Sequence, residues 1–254
     1  MKAVVLSSGS KGNVTYMEIN NKRFLLDVGR NYKYISETLK EMDVDIKTID
    51  YCLISHNHSD HVAGLKTFLN KTNAALVVSE KLFASLDNIN DYKHIYVLED
   101  ELELDGIKIK SFKSSHDAPD SRNFVISYDG KSVAYVTDTG YINQRNFKYL
   151  KNLDLYLFES NHDVELLMHG PYPSWLKKRV LSDEGHLSNK SASFYLTKLI
   201  GDKTKKIVLI HLSETNNSEE VALDTIHNTF KEYNLEFDDI VCARQNEKTE
   251  VIEI

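Results

Sequence analysis

Short apolar runs alternate with polar turns along most of the chain, which is typical of an α/β protein. Compact apolar runs bounded by turn residues predict buried strands at 3–6, 14–19, 23–26, 52–54, 75–78, 95–98, 102–104, 107–112, 123–128, 132–136, 155–158, 207–210, 240–243 and 251–254. Apolar residues three or four positions apart predict helices at 32–42, 62–69, 80–86, 143–149, 164–168, 175–180, 190–200 and 218–233.

Polar residues of metal-ligand type stand at or shortly after the ends of several predicted strands. They are His56, His116, Asp138, Glu159 and His211. Strand ends that bring distant parts of a chain to one site are typical of layered α/β enzymes. No linker, low-complexity tract or block of charge divides the sequence. We therefore predict a single domain over residues 1–254.

Three histidines and an aspartate fall within six residues directly after the predicted strand 52–54. They are His56, His58, Asp60 and His61. Imidazole and carboxylate groups are ligands of borderline divalent metals. In an extended segment His56 and His58 face the same way, whereas Asp60 and His61 come a turn later and can reach a second ion. Two adjacent metals suit hydrolytic displacement; the alternative is a polar loop that happens to be rich in histidine.

The composition is that of a soluble globular protein. The 254 residues are 41% apolar and 27% charged, which suffices for one large or two small domains. The only cysteines, Cys52 and Cys242, are far apart, so we expect a reducing compartment and metal sites without thiolates. The first residues form too short an apolar run for a signal peptide, and no run could span a membrane. We therefore predict a cytoplasmic protein with no membrane partner.

The formal net charge of −7 argues against broad electrostatic binding of nucleic acid. A phosphate-containing substrate must then be held locally, by metals and a small basic patch. Residues 177–179 (Lys-Lys-Arg), close to Trp175, are a candidate for such a patch. The alternative is an ordinary basic helix surface.

Three further features have two interpretations each. The small-residue segment 7–13 is either a phosphate cradle or a plain tight turn. Asp27 either braces the segment 56–61, here called the metal loop, from behind or caps a turn. His162 lies in a similar strand-end loop and is either part of the site or a hydrogen-bonded structural histidine.

The signature His56-x-His58-x-Asp60-His61, with His116, Asp138 and His211 following in order, resembles that of the metallo-β-lactamase-fold hydrolases. The resemblance extends over essentially the whole chain. It implies a four-layer αββα sandwich of two mixed sheets with helices outside. The implied ligands are His56, His58 and His116 for one metal, Asp60, His61 and His211 for a second, and Asp138 as the bridge.

Narrower motifs point to one branch of these hydrolases. Segments 7–13, 159–163, 185–189 and 211–217 together resemble the YycJ/WalJ branch, which is associated with 5′-to-3′ exonuclease activity on DNA. The redox branch, the flavodiiron proteins, has an acidic residue at the position of His58. The Gly185-His186 pair also resembles a motif of tRNA 3′-processing endonucleases, but their long RNA-binding insertion has no counterpart here. Arg30 departs from the branch pattern, which more often has a small residue there.

The resemblance also implies a mechanism. Two divalent ions, zinc, manganese or iron, would hold a shared hydroxide that attacks phosphorus in line. The implied roles are metal binding and hydroxide orientation for Asp60 and Asp138, proton donation to the leaving oxygen for His186, orientation of a ligand histidine for Glu159, and substrate or supporting contacts for Ser188 and Asn189. DNA is the implied substrate.

Two other functions compete with the exonuclease. One is a small-molecule hydrolase that acts on a cyclic phosphodiester, thioester or lactone, and the acidic balance of the chain favours it. The other is a binding protein that keeps the fold without catalysis. The complete ligand set argues against the binding protein.

Overall fold

The structure is a computed structural model that describes all 254 residues. The strands are β1 (Lys2–Ser7), β2 (Val14–Ile19), β3 (Lys22–Leu26), β4 (Tyr51–Leu53), β5 (Ala75–Val78), β6 (Ile95–Val97), β7 (Glu101–Leu104), β8 (Ile107–Lys113), β9 (Arg122–Tyr128), β10 (Lys131–Val136), β11 (Leu155–Glu159), β12 (Lys206–Ile210), β13 (Ile240–Cys242) and β14 (Ile252–Glu253). The helices are α1 (Tyr32–Lys40), α2 (Ser59–Val62), α3 (Leu65–Lys71), α4 (Glu80–Ala84), α5 (Phe147–Leu150), α6 (Val164–His169), α7 (Ser174–Val180), α8 (Asn189–Leu199) and α9 (Glu219–Glu232).

The strands form two sheets of seven. One sheet has the order β14-β1-β2-β3-β4-β5-β6, and the other has the order β13-β12-β11-β10-β9-β8-β7. In the first sheet β14 to β3 pair antiparallel and β3 to β6 pair parallel. In the second sheet β10 to β13 are parallel, whereas β9 pairs antiparallel with β10 and β7 with β8. Both sheets are therefore mixed, as predicted.

The chain forms two compact units. The first unit comprises Met1–Ser111, Ala118–Arg122 and Arg244–Ile254, and the second comprises Phe112–Asp117 and Asn123–Ala243. Each unit has an apolar core of its own, because a sheet face and helix faces must bury their apolar residues together. The single domain over residues 1–254 stays a prediction.

Two predicted helices are divided in the structure. The predicted helix 143–149 is a 3₁₀ turn at Gln144–Asn146 followed by α5, and the predicted helix 62–69 is separated into α2 and α3 at Gly64. The N–H of Gly64 donates to the carbonyl of Val28 at 2.9 Å, and a Cβ at Gly64 would lie 2.0 Å from the carbonyl oxygen of Arg30. This close backbone approach requires glycine and interrupts the helix. Apolar spacing alone does not reveal it.

The hairpin of β2 and β3 forms as predicted. Ile19 pairs with Lys22, so Asn20 and Asn21 are the two turn residues. Both have left-handed φ angles, 49° and 59°, which a two-residue hairpin turn of this kind requires and which asparagine tolerates. The neighbouring pairing of β3 with β4 is parallel and joins Leu26 to Leu53. The carboxyl ends of β3 and β4 therefore lie side by side.

The parallel strands of the second unit end at one edge of their sheet. β10, β11 and β12 run in register, with Val136 opposite Phe158 and Glu159 opposite Ile210. Polar residues follow these apolar strands at that edge.

None of the helices combines the length and the apolar composition needed to cross a bilayer.

Candidate metal centre

Three imidazoles gather where β4 ends in the first unit. His56 and His61 are fully buried, and His58 is half-buried. The ring centres of His56 and His58 lie 4.8 Å apart, and those of His56 and His61 lie 4.0 Å apart. Asp60 adds a carboxylate oxygen 3.5 Å from Nε2 of His61. Nitrogen and oxygen donors this close together suit a divalent ion.

Asp27 braces this loop from the end of β3. Its carboxylate accepts hydrogen bonds from the backbone N–H and the hydroxyl of Ser55, each at 2.8 Å. It also lies 2.8 Å from Nδ1 of His61, and it is fully buried. A carboxylate in this position fixes the proton on Nδ1 and leaves Nε2 for a metal. The contacts favour bracing over a turn cap.

Asn13 contributes a contact that sequence reasoning missed. Its side-chain nitrogen lies 3.0 Å from Nε2 of His61 and 3.3 Å from Oδ2 of Asp60. Its backbone N–H donates to the carbonyl of Asp60 at 2.7 Å. The small-residue segment 7–13 therefore packs directly on the metal loop. Its position at the end of that conspicuous segment was the available signal.

The segment 7–13 has the hydrogen bonding of a tight turn. The N–H of Gly9 donates to the side chain of Asn13 at 2.8 Å, and the N–H of Lys11 donates to the side chain of Gln245 at 2.8 Å. The N–H of Gly12 donates to the carbonyl of Gly9 at 3.0 Å. A phosphate cradle would present these amides to a ligand, so the structure favours the plain turn.

Arg30, the residue that departs from the branch pattern, stacks with its guanidinium 4.0 Å from the ring centre of Tyr34.

Gly29 lies where the turn and the metal loop meet. A Cβ at this position would lie 1.7 Å from the carbonyl oxygen of Asp60. We expect Gly29→Ala to displace Asp60, to lower the free energy of unfolding by about 1–3 kcal/mol, and to reduce bound metal. Urea unfolding and metal analysis of the desalted protein measure both effects.

Gly130→Ala is the matched control for that substitution. A Cβ at Gly130 meets nothing within 4 Å, although its φ of 74° is left-handed. The alanine there should cost about 1–2 kcal/mol of backbone strain and leave the bound metal unchanged. Equal metal content in the Gly29→Ala and Gly130→Ala proteins would contradict the close-packing argument.

Asp138 is the centre of a second group of ligands, in the second unit. It follows β10 and is buried. Its carboxylate lies 3.4 Å from Nε2 of His116, 3.5 Å from Nδ1 of His211 and 3.9 Å from Nδ1 of His186. Nδ1 of His116 lies 3.0 Å from the carbonyl of Gly185, which leaves Nε2 directed at Asp138.

Glu159 holds two of these histidines from the end of β11. Its Oε1 lies 2.7 Å from Nδ1 of His186 and 3.1 Å from Nδ1 of His211. Its Oε2 accepts from the backbone N–H groups of Thr139 and Leu187 at 3.0 and 3.1 Å. Burial alone would raise the pKa of Glu159, but the charge and hydrogen bonds of His186 and the bond from His211 lower it to about 2. Glu159 is therefore an anion that orients both imidazoles.

The donors of the second unit fit a metal ion. One ligand atom from each of Asp138, Glu159, His186 and His211 lies within 4.8 Å of the others. The set offers only nitrogen and oxygen, which suits zinc, manganese or iron. His186 can therefore serve either as a metal ligand or as a proton donor.

Three of the predicted site residues have left-handed backbone conformations. The φ angles are 59° at Asp27, 40° at Asp138 and 58° at His211. Asp27 and His211 directly follow β3 and β12, and Asp138 lies two residues beyond β10. Such conformations are uncommon outside glycine and cluster at functional sites, where the surrounding structure enforces them. They turn the chain sharply as each strand ends.

Ser188 and Asn189 have structural contacts at the start of α8. The hydroxyl of Ser188 accepts from the N–H of Ser191 at 3.1 Å and so caps the helix. The side chain of Asn189 exchanges two hydrogen bonds of 2.8 Å with Asn217 and accepts one from Ser160 at 2.7 Å. A substrate contact by Ser188 or Asn189 stays a prediction.

His162 is buried, and neither ring nitrogen has a hydrogen-bond partner. The alternative of a hydrogen-bonded structural histidine therefore does not describe it. Burial, together with the charge of His186, lowers its pKa from 6.5 to about 4, against the opposing effect of Glu159 and Asp163. The side chain is neutral at pH 7.

The lowered pKa of His162 predicts a pH-dependent loss of stability. Between pH 6.5 and 4, His162 is protonated in the unfolded chain but remains neutral in the folded chain. Lowering the pH through this range therefore favours unfolding. We expect wild type to lose stability relative to His162→Gln by about 1.4 kcal/mol per pH unit in that range. Urea unfolding at several pH values measures this. His227→Gln, at an exposed histidine of α9, should follow wild type, and parallel curves for all three proteins would contradict the prediction.

Residues 23–212 match the family described as the beta-lactamase superfamily domain. The chain is 38% identical over 241 residues to exodeoxyribonuclease WalJ of Streptococcus pneumoniae, which covers 92% of this chain and 90% of that protein. It is 34% identical over 233 residues to exodeoxyribonuclease YycJ of Bacillus anthracis, with 90% and 88% covered.

The fold matches that of the metallo-β-lactamase fold protein YhfI from Bacillus subtilis. The two share 14% identity at a TM-score of 0.70, over 98% of this chain and 99% of the other. This confirms the predicted fold class of two mixed sheets with surrounding helices. Together with the sequence matches, it shows that the chain belongs to the β-lactamase superfamily and, within it, to the family of the exodeoxyribonucleases WalJ and YycJ.

Proposed function

We propose that this chain is a metal-dependent DNA exonuclease that removes nucleotides in the 5′-to-3′ direction. The proposal is supported by its similarity, over about nine-tenths of its length, to two proteins named as exodeoxyribonucleases. The structural observation that carries it is the contact of the buried Glu159 carboxylate with His186, beside Asp138. This arrangement provides an oriented proton donor next to a metal ligand.

The proposed ligand set for two divalent ions is the one that the family resemblance implies. It comprises His56, His58, Asp60, His61, His116, Asp138 and His211. The contacts within each unit fit the proposal because the imidazoles and carboxylates are buried and closely spaced. Bound divalent ions supply charge neutralisation at phosphate oxygens and lower the pKa of water. Zinc, manganese and iron all suit these ligands.

The side chains of the protein have three tasks in this reaction. Asp27 and Glu159 hold the imidazoles of His61, His186 and His211 in fixed tautomers and orientations. Asp60 and Asp138 add negative charge to the ligand set. His186 is 12% exposed at its side chain, so a substrate can reach it. With Nδ1 bound to Glu159, Nε2 of His186 can protonate the leaving oxygen.

We place the protein in the cytoplasm. Cys52 is buried and Cys242 is half-buried, and neither forms a disulfide. Cysteines without disulfides suit a reducing compartment. DNA, the proposed substrate, lies in the same compartment of a bacterial cell.

A small-molecule hydrolase is the second candidate. The net charge of −7 and the calculated isoelectric point of about 5.8 favour it, because a polyanionic substrate gains nothing from such a field. Cyclic phosphodiesters, thioesters and lactones are the substrates of this alternative.

Duplex DNA labelled at either end separates the two functions. The metal-loaded protein is incubated with DNA carrying a 5′ or a 3′ label and, in parallel, with bis(p-nitrophenyl) phosphate and a thioester panel. Immediate release of the 5′ label as a nucleotide, with gradual shortening of the 3′-labelled strand, supports the exonuclease and its polarity. Cleavage of small substrates with DNA left intact would exclude it.

A further inference from the structure

Helices α6 and α7 of the second unit leave an apolar surface exposed. Trp175, the only tryptophan of the chain, is 68% exposed. Met168 and Leu166 are 50% and 42% exposed, and Val164 and Leu181 are also exposed. We call these five residues the α6–α7 surface. Exposed apolar side chains of this size are candidates for contact with a partner.

The two helices of this surface are held together. The amine of Lys177 on α7 donates to the carbonyl of Met168 on α6 at 2.6 Å. Residues 170–173 connect the helices and contain two prolines, which restrict the backbone. Asp163 caps the start of α6 by accepting from the N–H of Leu166 at 2.9 Å. The apolar side chains are thus presented on fixed elements.

The end of α7 is attached to the backbone of His186. The N–H of His186 donates to the carbonyl of Val180 at 3.0 Å, and the N–H of Gly185 donates to that of Ser182 at 2.9 Å. Trp175 lies five residues before Val180, about 7–8 Å along the helix axis. The turn that carries His186 is therefore hydrogen-bonded to the helix that carries Trp175.

The local charge of α7 is opposite to that of the whole chain. Residues 171–182 contain Lys177, Lys178 and Arg179 and no acidic residue, whereas the chain has a net charge of −7. Arg179 is already engaged, because its guanidinium bonds to the carboxylate of Asp117 with Nη2 at 2.8 Å. Lys178 is exposed and lies three residues after Trp175, on the same side of α7. The basic patch of the sequence thus reduces to Lys178, with Lys177 in a supporting role.

We propose that the α6–α7 surface binds a single-stranded end of the DNA substrate, with a base stacked on Trp175 and a phosphate beside Lys178. This inference rests on the proposed function and adds a substrate-binding surface to it. An aromatic face stacks only on a base that is not already stacked in a duplex, so a frayed or single-stranded end is the matching partner. The positive charge beside the tryptophan complements its phosphates.

Tryptophan fluorescence reports this contact directly, because Trp175 is the only tryptophan. The full-length, metal-loaded protein is titrated with a single-stranded oligothymidylate of about 12 nucleotides, with phosphorothioate linkages that resist cleavage. Saturable quenching is expected. Absence of quenching at concentrations at which a fluorescein-labelled oligonucleotide binds by anisotropy would overturn the proposal.

Substitutions test the two proposed contacts separately. Trp175→Ala should weaken anisotropy-measured binding about 5- to 100-fold, and Trp175→Phe should retain most of it because phenylalanine also stacks. Lys178→Glu should weaken binding and lower the slope of log affinity against log salt by about one. Lys40→Glu is the matched control, since Lys40 is likewise exposed in the last turn of a helix, and should bind as wild type does.

The outcomes distinguish this inference from the proposed function. If wild type leaves DNA intact while it cleaves small esters, the exonuclease proposal fails. If wild type digests DNA and Trp175→Ala has an unchanged KM for it, only the α6–α7 surface is refuted. Saturable quenching by phosphatidylglycerol vesicles, with none by the oligonucleotide, would assign the surface to a membrane and overturn the proposal.

Discussion

Replacing His58 with alanine should lower the nuclease rate by about 1000-fold and remove most of the bound metal. His58 is proposed as a ligand in the histidine cluster, with its ring centre 4.8 Å from that of His56. It stands at the start of α2 but makes no side-chain capping hydrogen bond, so the helix does not depend on its imidazole. Metal analysis of the desalted protein and the end-labelled DNA assay measure both losses.

His227→Ala is the matched control for this substitution. His227 lies exposed on α9 and is not among the proposed ligands. Its replacement should preserve both metal content and rate. A His58→Ala protein that keeps the full metal content would contradict the assignment, and far-UV circular dichroism verifies that both variants are folded.

Replacing His186 with alanine should lower kcat by about 100- to 10,000-fold while the bound metal stays in place. The contact of its Nδ1 with Glu159 at 2.7 Å leaves Nε2 free to donate a proton. Removing the imidazole should also remove the limb of the pH–rate profile that reports a proton donor. A substitution with a purely structural effect would leave that limb in place. Metal analysis and a pH series of kcat on end-labelled DNA measure the two effects.

Loss of metal in His186→Ala would assign a different role to this residue. Asp138, Glu159, His186 and His211 have ligand atoms close enough to hold an ion together. If His186 belongs to that set, its removal should reduce metal content to the extent that His58→Ala does. Comparing the two variants in the same metal assay therefore decides between ligand and proton donor.

Much of the fold was readable from the sequence because strand and helix periodicities are local. Apolar runs of the right length identified the strands that form both sheets, and polar residues of metal-ligand type follow several of them. The signature from His56 to His61 is compact in sequence, so its ligand-type residues could be recognised from one short segment. The strand-end position of Asp138 and Glu159 was visible in the same pattern, whereas the parallel register of β10 and β11 is seen only in the structure.

The remaining features depend on contacts between distant parts of the chain. The small-residue segment 7–13 draws attention to Asn13, but it does not indicate that the side chain reaches Asp60 and His61. The interruption at Gly64 arises from the backbone of Arg30, which periodicity does not register. Likewise, only the structure shows that Arg179 is paired with Asp117. This pairing leaves fewer available cations in the segment 177–179 than the sequence suggests. Sequence spacing cannot predict such pairings, because no periodicity relates the partners.

Asp138, Glu159 and His211 lie at or just beyond the carboxyl ends of the parallel strands of the second sheet. The amino ends of these strands carry none of the predicted site residues. At these amino ends lie the turn at Asp129-Gly130 before β10 and the loop 201–205 before β12. A Cβ at Gly130 meets nothing within 4 Å. We expect a dye or an affinity handle attached at position 130 to leave Asp138 and Glu159, at the opposite ends of the parallel strands, in place.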